Sequence, residues 1–180
     1  MSSRVGFGRA RQLIGTLAVC LALVCGLTPA SAVETRSSPG DRERFVSITQ
    51  NLEEAPLKPS LKADREWALR WLTDAPDVTV KVCAAPLGGL VQSNYPYASE
   101  IVVQYMFAMA ALIVEHPEAR NDPGRQQLAG VEGALNAYRS ILRDKPEAKS
   151  AALETLLETR TRGELPGFVQ KASDRCSIEK

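Results

Sequence analysis

The chain contains a single histidine, His116, and that scarcity removes more chemistry than any motif supplies. Zinc and most transition-metal sites draw on several imidazoles, so a His-dependent metal centre lacks its donors. A Ser-His-Asp triad would rest wholly on His116, and no Gly-x-Ser-x-Gly elbow accompanies it. There is no His-Glu-x-x-His pair and no Asp-x-Asp-x-Asn/Asp-Gly loop of the kind that binds calcium. No metal and no cofactor is implied.

A strong charge balance is missing too. With 22 Lys and Arg against 21 Asp and Glu, the formal charge is +1, and no basic stripe marks a nucleic-acid or anionic-lipid surface. Cysteine is sparse: Cys20 and Cys25 fall in the N-terminal apolar stretch, which leaves Cys83 and Cys176 for the rest of the chain.

That N-terminal stretch has the order of a secretory signal. Arg4, Arg9 and Arg11 precede an apolar run from Leu13 to Leu27, and Thr28-Pro29-Ala30-Ser31-Ala32 ends it with the small residues a signal peptidase needs. The run of about 15 residues is short of the roughly 20 that span a bilayer, which favours cleavage near Ala32-Val33 over an uncleaved anchor. Valine precedes both Cys20 and Cys25, where a lipobox wants a small residue, and no Arg-Arg pair marks a twin-arginine route.

The expected mature protein is periplasmic or secreted, with no stable membrane span. Loss of residues 1–32 leaves 19 Lys and Arg against 21 Asp and Glu, a net charge near −2. In an oxidising compartment Cys83 and Cys176 most simply form one disulfide, closing a loop of about 94 residues. The chain-entropy value of such a loop is roughly 4 to 5 kcal/mol, reduced by any strain. A reactive thiol, the competing reading, wants a nearby histidine.

Residues 33–42 carry few apolar groups and are expected to form a flexible leader to a helical domain over 43–180. Phe45, Ile48 and Leu52 predict a first helix ending before Pro56; Leu61, Trp67, Leu69, Trp71 and Leu72 predict a second, ending near Ala75-Pro76. The two tryptophans, one helical turn apart, read as core packing rather than a ligand platform. Val78, Val80 and Val82 alternate with Thr79, Lys81 and Cys83 as a strand would, yet with no pairing partner a short helix or an extended segment remains open.

From Ile101 to Val114 only Gln104 is strongly polar, so the Ser99–Glu115 segment predicts a helix wrapped by others, too short in its apolar run to cross a membrane. Asp122 and Pro123 predict the cap and first residue of the next helix. That helix carries an apolar stripe, a charged stripe that includes Arg125, Glu132, Asn136 and Arg139, and a small-residue stripe of Gly130, Gly133 and Ala137. Two mid-helix glycines, each about 1 kcal/mol less favourable than alanine, point to close packing against the Ser99–Glu115 helix. Pro146 predicts the start of a further helix, with Glu158 and Arg162 paired and Gly163 at its end; a last helix delivers Cys176. The expected fold is mainly α: one small domain of about five to six helices around a central apolar helical hairpin, with one disulfide.

The block from Tyr97 to Lys149, within roughly residues 64–176, resembles a group of small exported bacterial helical proteins of unassigned function. More distantly, Gln104 with the apolar run, His116-Pro117-Glu118 and Gly133-Ala134-Leu135 resemble Rap1a/Tai-type proteins. That resemblance implies a small, disulfide-bonded periplasmic immunity protein that neutralises a cell-wall-degrading effector. The chain departs from that family in placing its second cysteine at 176 rather than soon after the Ala-Leu segment.

The expected function is non-catalytic binding of another envelope or secreted protein, through the Arg125, Glu132, Asn136 and Arg139 face or the Pro86–Pro96 loop. Two alternatives have distinct requirements. A carboxylate-based envelope hydrolase needs Glu100, Glu115 or Glu132 to converge, and an apolar-ligand carrier needs a cavity lined by Trp71, Met106, Phe107 and Met109.

Overall fold

A computed structural model describes residues 37–178. The expected export leader, residues 1–32, lies outside them. The first helix, α1 (Pro39–Glu54), starts inside the stretch expected to be a flexible leader. Local chemistry explains the early start. The Ser38 hydroxyl accepts from the Asp41 backbone N–H at 3.1 Å, Pro39 takes the first helical position, and Asp41 lies against the positive helix end. Arg42 then ties the first turn down by an ion pair to Asp77 at 2.6 Å. Burial pushes the Asp77 carboxyl up, but Ser37 and the Arg42 guanidinium together pull it below its ordinary value.

After a 3-10 turn at Pro59–Leu61, α2 (Lys62–Asp74) runs to Ala75-Pro76. Trp71 packs on Phe45 with ring centroids 4.5 Å apart, and Phe45 meets Phe107 edge-on at 5.3 Å. Trp67 lies at the rim of this cluster, with the Arg44 guanidinium 4.0 Å from its ring centroid.

The hairpin of α3 (Ala98–Glu115) and α4 (Pro123–Asp144) is the spine of the domain. On one side of α3, Phe107, Ala110 and Ile113 join Phe45, Ile48 and Leu52 of α1. On the other, Ile101, Tyr105 and Met109 join Val131, Leu135 and Tyr138 of α4. Two cores on one helix explain why its apolar character runs all round. By length and composition α3 could cross a membrane, but half of it is buried against these neighbours. Even Gln104 is buried, and its Nε2 donates to the Thr49 carbonyl at 3.1 Å.

The glycine stripe sits where α3 comes closest. A Cβ added at Gly130 would lie 2.7 Å from the Tyr105 ring, and one at Gly133 would lie 2.5 Å from Ala108 Cβ. Only residues without a side chain permit this approach. Asp122 caps α4 as its position predicts, accepting from the Arg125 N–H at 2.9 Å.

The alternating valines do not make a strand. Residues 78–83 adopt no regular secondary structure, and among the described residues no ladder pairs with them. Side chains from the hairpin take the place of a neighbouring strand: Gln127 Nε2 donates to the Lys81 carbonyl at 2.7 Å, and the Tyr105 hydroxyl to the Cys83 carbonyl at 2.9 Å.

The next helix begins later than Pro146 predicts. Pro146 and Glu147 form a turn, and α5 spans Ala151–Thr161. The Tyr138 hydroxyl accepts the Ser150 N–H at 2.9 Å and holds that residue extended just ahead of the helix. Gly163 ends α5 at φ 74°. The Glu164 N–H reaches Thr159 O at 3.0 Å and the Gly163 N–H reaches Arg160 O at 2.9 Å, a Schellman closure. Arg162 pairs with Glu164 at 2.8 Å rather than with Glu158. Finally, α6 (Leu165–Ile178) buries Leu165, Val169 and Ala172 and carries Cys176 to Cys83, joined as a disulfide with Cα atoms 6.1 Å apart. The described residues contain six α-helices in a single unit, as the sequence pattern predicts.

Candidate interaction surface

The structure divides the charged stripe of α4. Arg125 is exposed in the first turn, 3.5 Å from Glu118, whose carboxylate also lies 3.4 Å from His116 Nδ1. Asn136 is eleven residues further on, about 16 Å along the helix axis, so Arg125 does not share a site with it.

Glu132 and Asn136 are drawn together by a residue that sequence spacing did not single out. Arg160 of α5 donates to Glu132 Oε2 at 3.0 Å and to Asn136 Oδ1 at 3.1 Å. The Asn136 amide in turn donates to Glu53 Oε2 of α1 at 3.2 Å. Burial raises the Glu53 carboxyl above its ordinary value, against the bonds from Asn136 and Gln104 that lower it; Glu132 and Glu54 raise it further.

Arg139 and Arg143 stand on the solvent side of this network. Arg143 donates to the Glu54 carbonyl and to Ser140 Oγ, both at 3.0 Å. With Glu53, Glu54, Asn136 and Ser140 they border a shallow groove of about 270 Å³. Its acids and cations balance, so it selects no charge.

The Pro86–Pro96 loop is anchored and exposed at once. Pro86, Leu87, Leu90 and Tyr95 are buried, and Gly88 and Gly89 turn the chain at φ 63° and 86°. Val91 is 50 % exposed and Val82, just before the disulfide cysteine, is 51 % exposed. These are the large apolar side chains left in solvent among the described residues. No spacing rule would have found them, because Val82 belongs to a run whose alternation reads as a buried face.

The sites that the two alternatives require are not assembled. Glu100 and Glu115 stand at opposite ends of α3, about 22 Å apart along its axis, and Glu132 is held by Arg160. Trp71 and Phe107 pack in one core cluster, whereas Met109 is fully buried in the other with Met106 against it. Comparison with family models, with curated proteins and with solved structures returns no match.

Proposed function

We propose that this chain is an exported helical protein that works by binding another envelope or secreted protein, as an inhibitor of the immunity type. The observation that carries the reading is the segment Val82–Val91, which presents two solvent-exposed valines from a loop held at several points. The Cys83–Cys176 disulfide, the Tyr105 hydroxyl and buried Leu87 and Leu90 restrain it before any partner arrives. Restraint of this kind lowers the entropy lost on association, and exposed apolar side chains supply surface to bury. Export is supported by the basic and apolar order of residues 1–32 and by the cysteine pair, which suits an oxidising compartment.

Co-expression of the chain with the product of each neighbouring gene, followed by size-exclusion chromatography, tests the reading. The expected result is a stoichiometric complex with one of them, weakened at least about tenfold by Val82→Asp with Val91→Asp, as for loss of a buried apolar anchor. If the partner is a toxin, exported wild-type chain should restore growth and the double variant should not. A chain that binds no neighbouring product, or binds it unchanged after both substitutions, would sink the proposal.

A further inference from the structure

We propose that the solvent face of α6 is a docking groove for an acidic segment of a partner protein, one that brings an apolar side chain to Phe168. This surface presupposes the protein-binding reading above and adds to it the chemistry of what is bound. Phe168, Lys171 and Arg175 fall at i, i+3 and i+7 on α6, one stripe of the helix, while Leu165, Val169 and Ala172 face the core. Two hollows lie along that stripe and meet at half-buried Phe168. One, of about 510 Å³, is bordered by Arg162, Gly163, Gly167 and Lys171; the other, of about 440 Å³, by Gly88, Gly89, Arg175 and Cys176. Between Glu164 and Cys176 the chain rises about 18 Å, the length of five or six extended residues.

Charge selects the occupant. Glu164 is the acid among the described residues that line the hollows, and Arg162 Nε already holds it at 2.8 Å. Lys171 and Arg175 have no carboxylate partner among the described residues, and Asp174, beside them in sequence, accepts from Gln170 Nε2 at 2.8 Å. Among the described residues that line the hollows, Arg162, Lys171 and Arg175 stand against the single acid Glu164, and with Phe168 between them this lining fits a carboxylate-bearing peptide with one hydrophobic anchor. A bilayer is better met by protruding apolar side chains, and a nucleic-acid backbone by a longer basic track. Gly167 supplies a way to close the groove, because a Cβ there meets no atom within 4 Å.

Fluorescence polarisation on the purified, disulfide-formed chain tests this with labelled Asp-Glu-Leu-Phe-Glu-Asp, its counterpart Lys-Lys-Leu-Phe-Lys-Lys, and phosphatidylglycerol vesicles as a competing surface. The acidic peptide is expected to bind in preference to the basic one and to weaken with salt. Lys171→Glu with Arg175→Glu should weaken it at least about tenfold, and Gly167→Leu should do the same with a thermal midpoint no lower than that of the unsubstituted chain, since a helix glycine is replaced by a better helix former. Absence of binding, equal binding of the basic peptide, indifference to these substitutions, or uptake by vesicles in place of peptide would each overturn the groove. A neighbouring-gene partner that is lost on substitution of Val82 and Val91, yet kept on substitution of Gly167, Lys171 and Arg175, leaves the function standing and removes the groove. Peptide binding without any protein partner does the reverse.

Discussion

The hydroxyl of Tyr105 lies 2.9 Å from the carbonyl oxygen of Cys83, so the central helix grips the backbone of a disulfide residue 22 positions away. Tyr105 is fully buried, and burial pushes its phenol well above the usual range, which keeps the proton in place to donate. Gln127 from α4 holds Lys81 two residues earlier, and its Oε1 also lies against the Tyr105 hydroxyl. The segment that leads to Cys83 is therefore fastened to both helices of the hairpin as well as, through the disulfide, to α6.

Tyr105→Phe should loosen this segment without disturbing the core, since only an oxygen is lost. The Cys83 carbonyl would be left without its donor, a loss of about 1–3 kcal/mol for a buried acceptor. Urea denaturation should record that loss. Hydrogen exchange should localise increased opening to residues 80–91, and the disulfide should reduce faster in dithiothreitol. Unchanged exchange there, with lower global stability, would place the role of the hydroxyl elsewhere.

Gly133→Ala should be destabilising although alanine is the better helix former. The propensity gain is about 1 kcal/mol. Against it, the new methyl would stand 2.5 Å from Ala108 Cβ and 2.9 Å from Glu53 Oε1, so α3 must give way and the Glu53 carboxylate must swing aside from its bond with Asn136. Overpacking of this sort costs about 1–3 kcal/mol, and the contact with Ala108 Cβ, the shorter of the two, places it toward the upper end, for a net loss of up to about 2 kcal/mol. Ala108→Gly in the same chain should recover part of the loss by removing one of the two clashes, although it adds a helix glycine of its own. A more stable Gly133→Ala variant would show that the hairpin is looser than its geometry.

What the sequence made legible were features whose causes are local or countable. Asp122-Pro123 announces the start of α4, the all-apolar run announces a wrapped helix, and two cysteines beyond the N-terminal apolar stretch announce a single pairing. Features decided by distant side chains were hidden. Residues 78–83 have the period of a strand, but their hydrogen-bond partners come from helices up to 46 positions away. The start of α5 is set by a tyrosine hydroxyl on α4. The charged stripe of α4 was visible as a pattern, yet Arg160 and Glu53, which organise its centre, approach from two other helices.

Glu53 offers a pH test of that centre. Glu132 of α4 and Glu54 of α1 raise its carboxyl, Arg143 and Arg139 border it across the groove, and Arg160 of α5 reaches it only through Asn136. Burial raises its affinity for a proton in the folded state, so the folded chain keeps that proton to a higher pH than the unfolded chain does. The stabilisation from holding the proton is complete below the ordinary carboxylate value and is lost as pH rises through the raised one. At neutral pH the ionised, half-buried carboxylate is thus a liability. Glu53→Gln, which can still accept from the Asn136 amide, should raise the thermal midpoint at pH 7, with the difference shrinking steadily as the pH falls through the carboxylate range. Asp77 titrates with the opposite sign, its stabilisation present above its unfolded value and lost on acidification, so both proteins lose that contribution equally and the difference curve isolates Glu53. A Glu53→Gln variant that is less stable at pH 7, with a deficit that vanishes in acid, would mean that the bonds from Asn136 and Gln104 outweigh burial and that the carboxylate is held ionised as part of the fold.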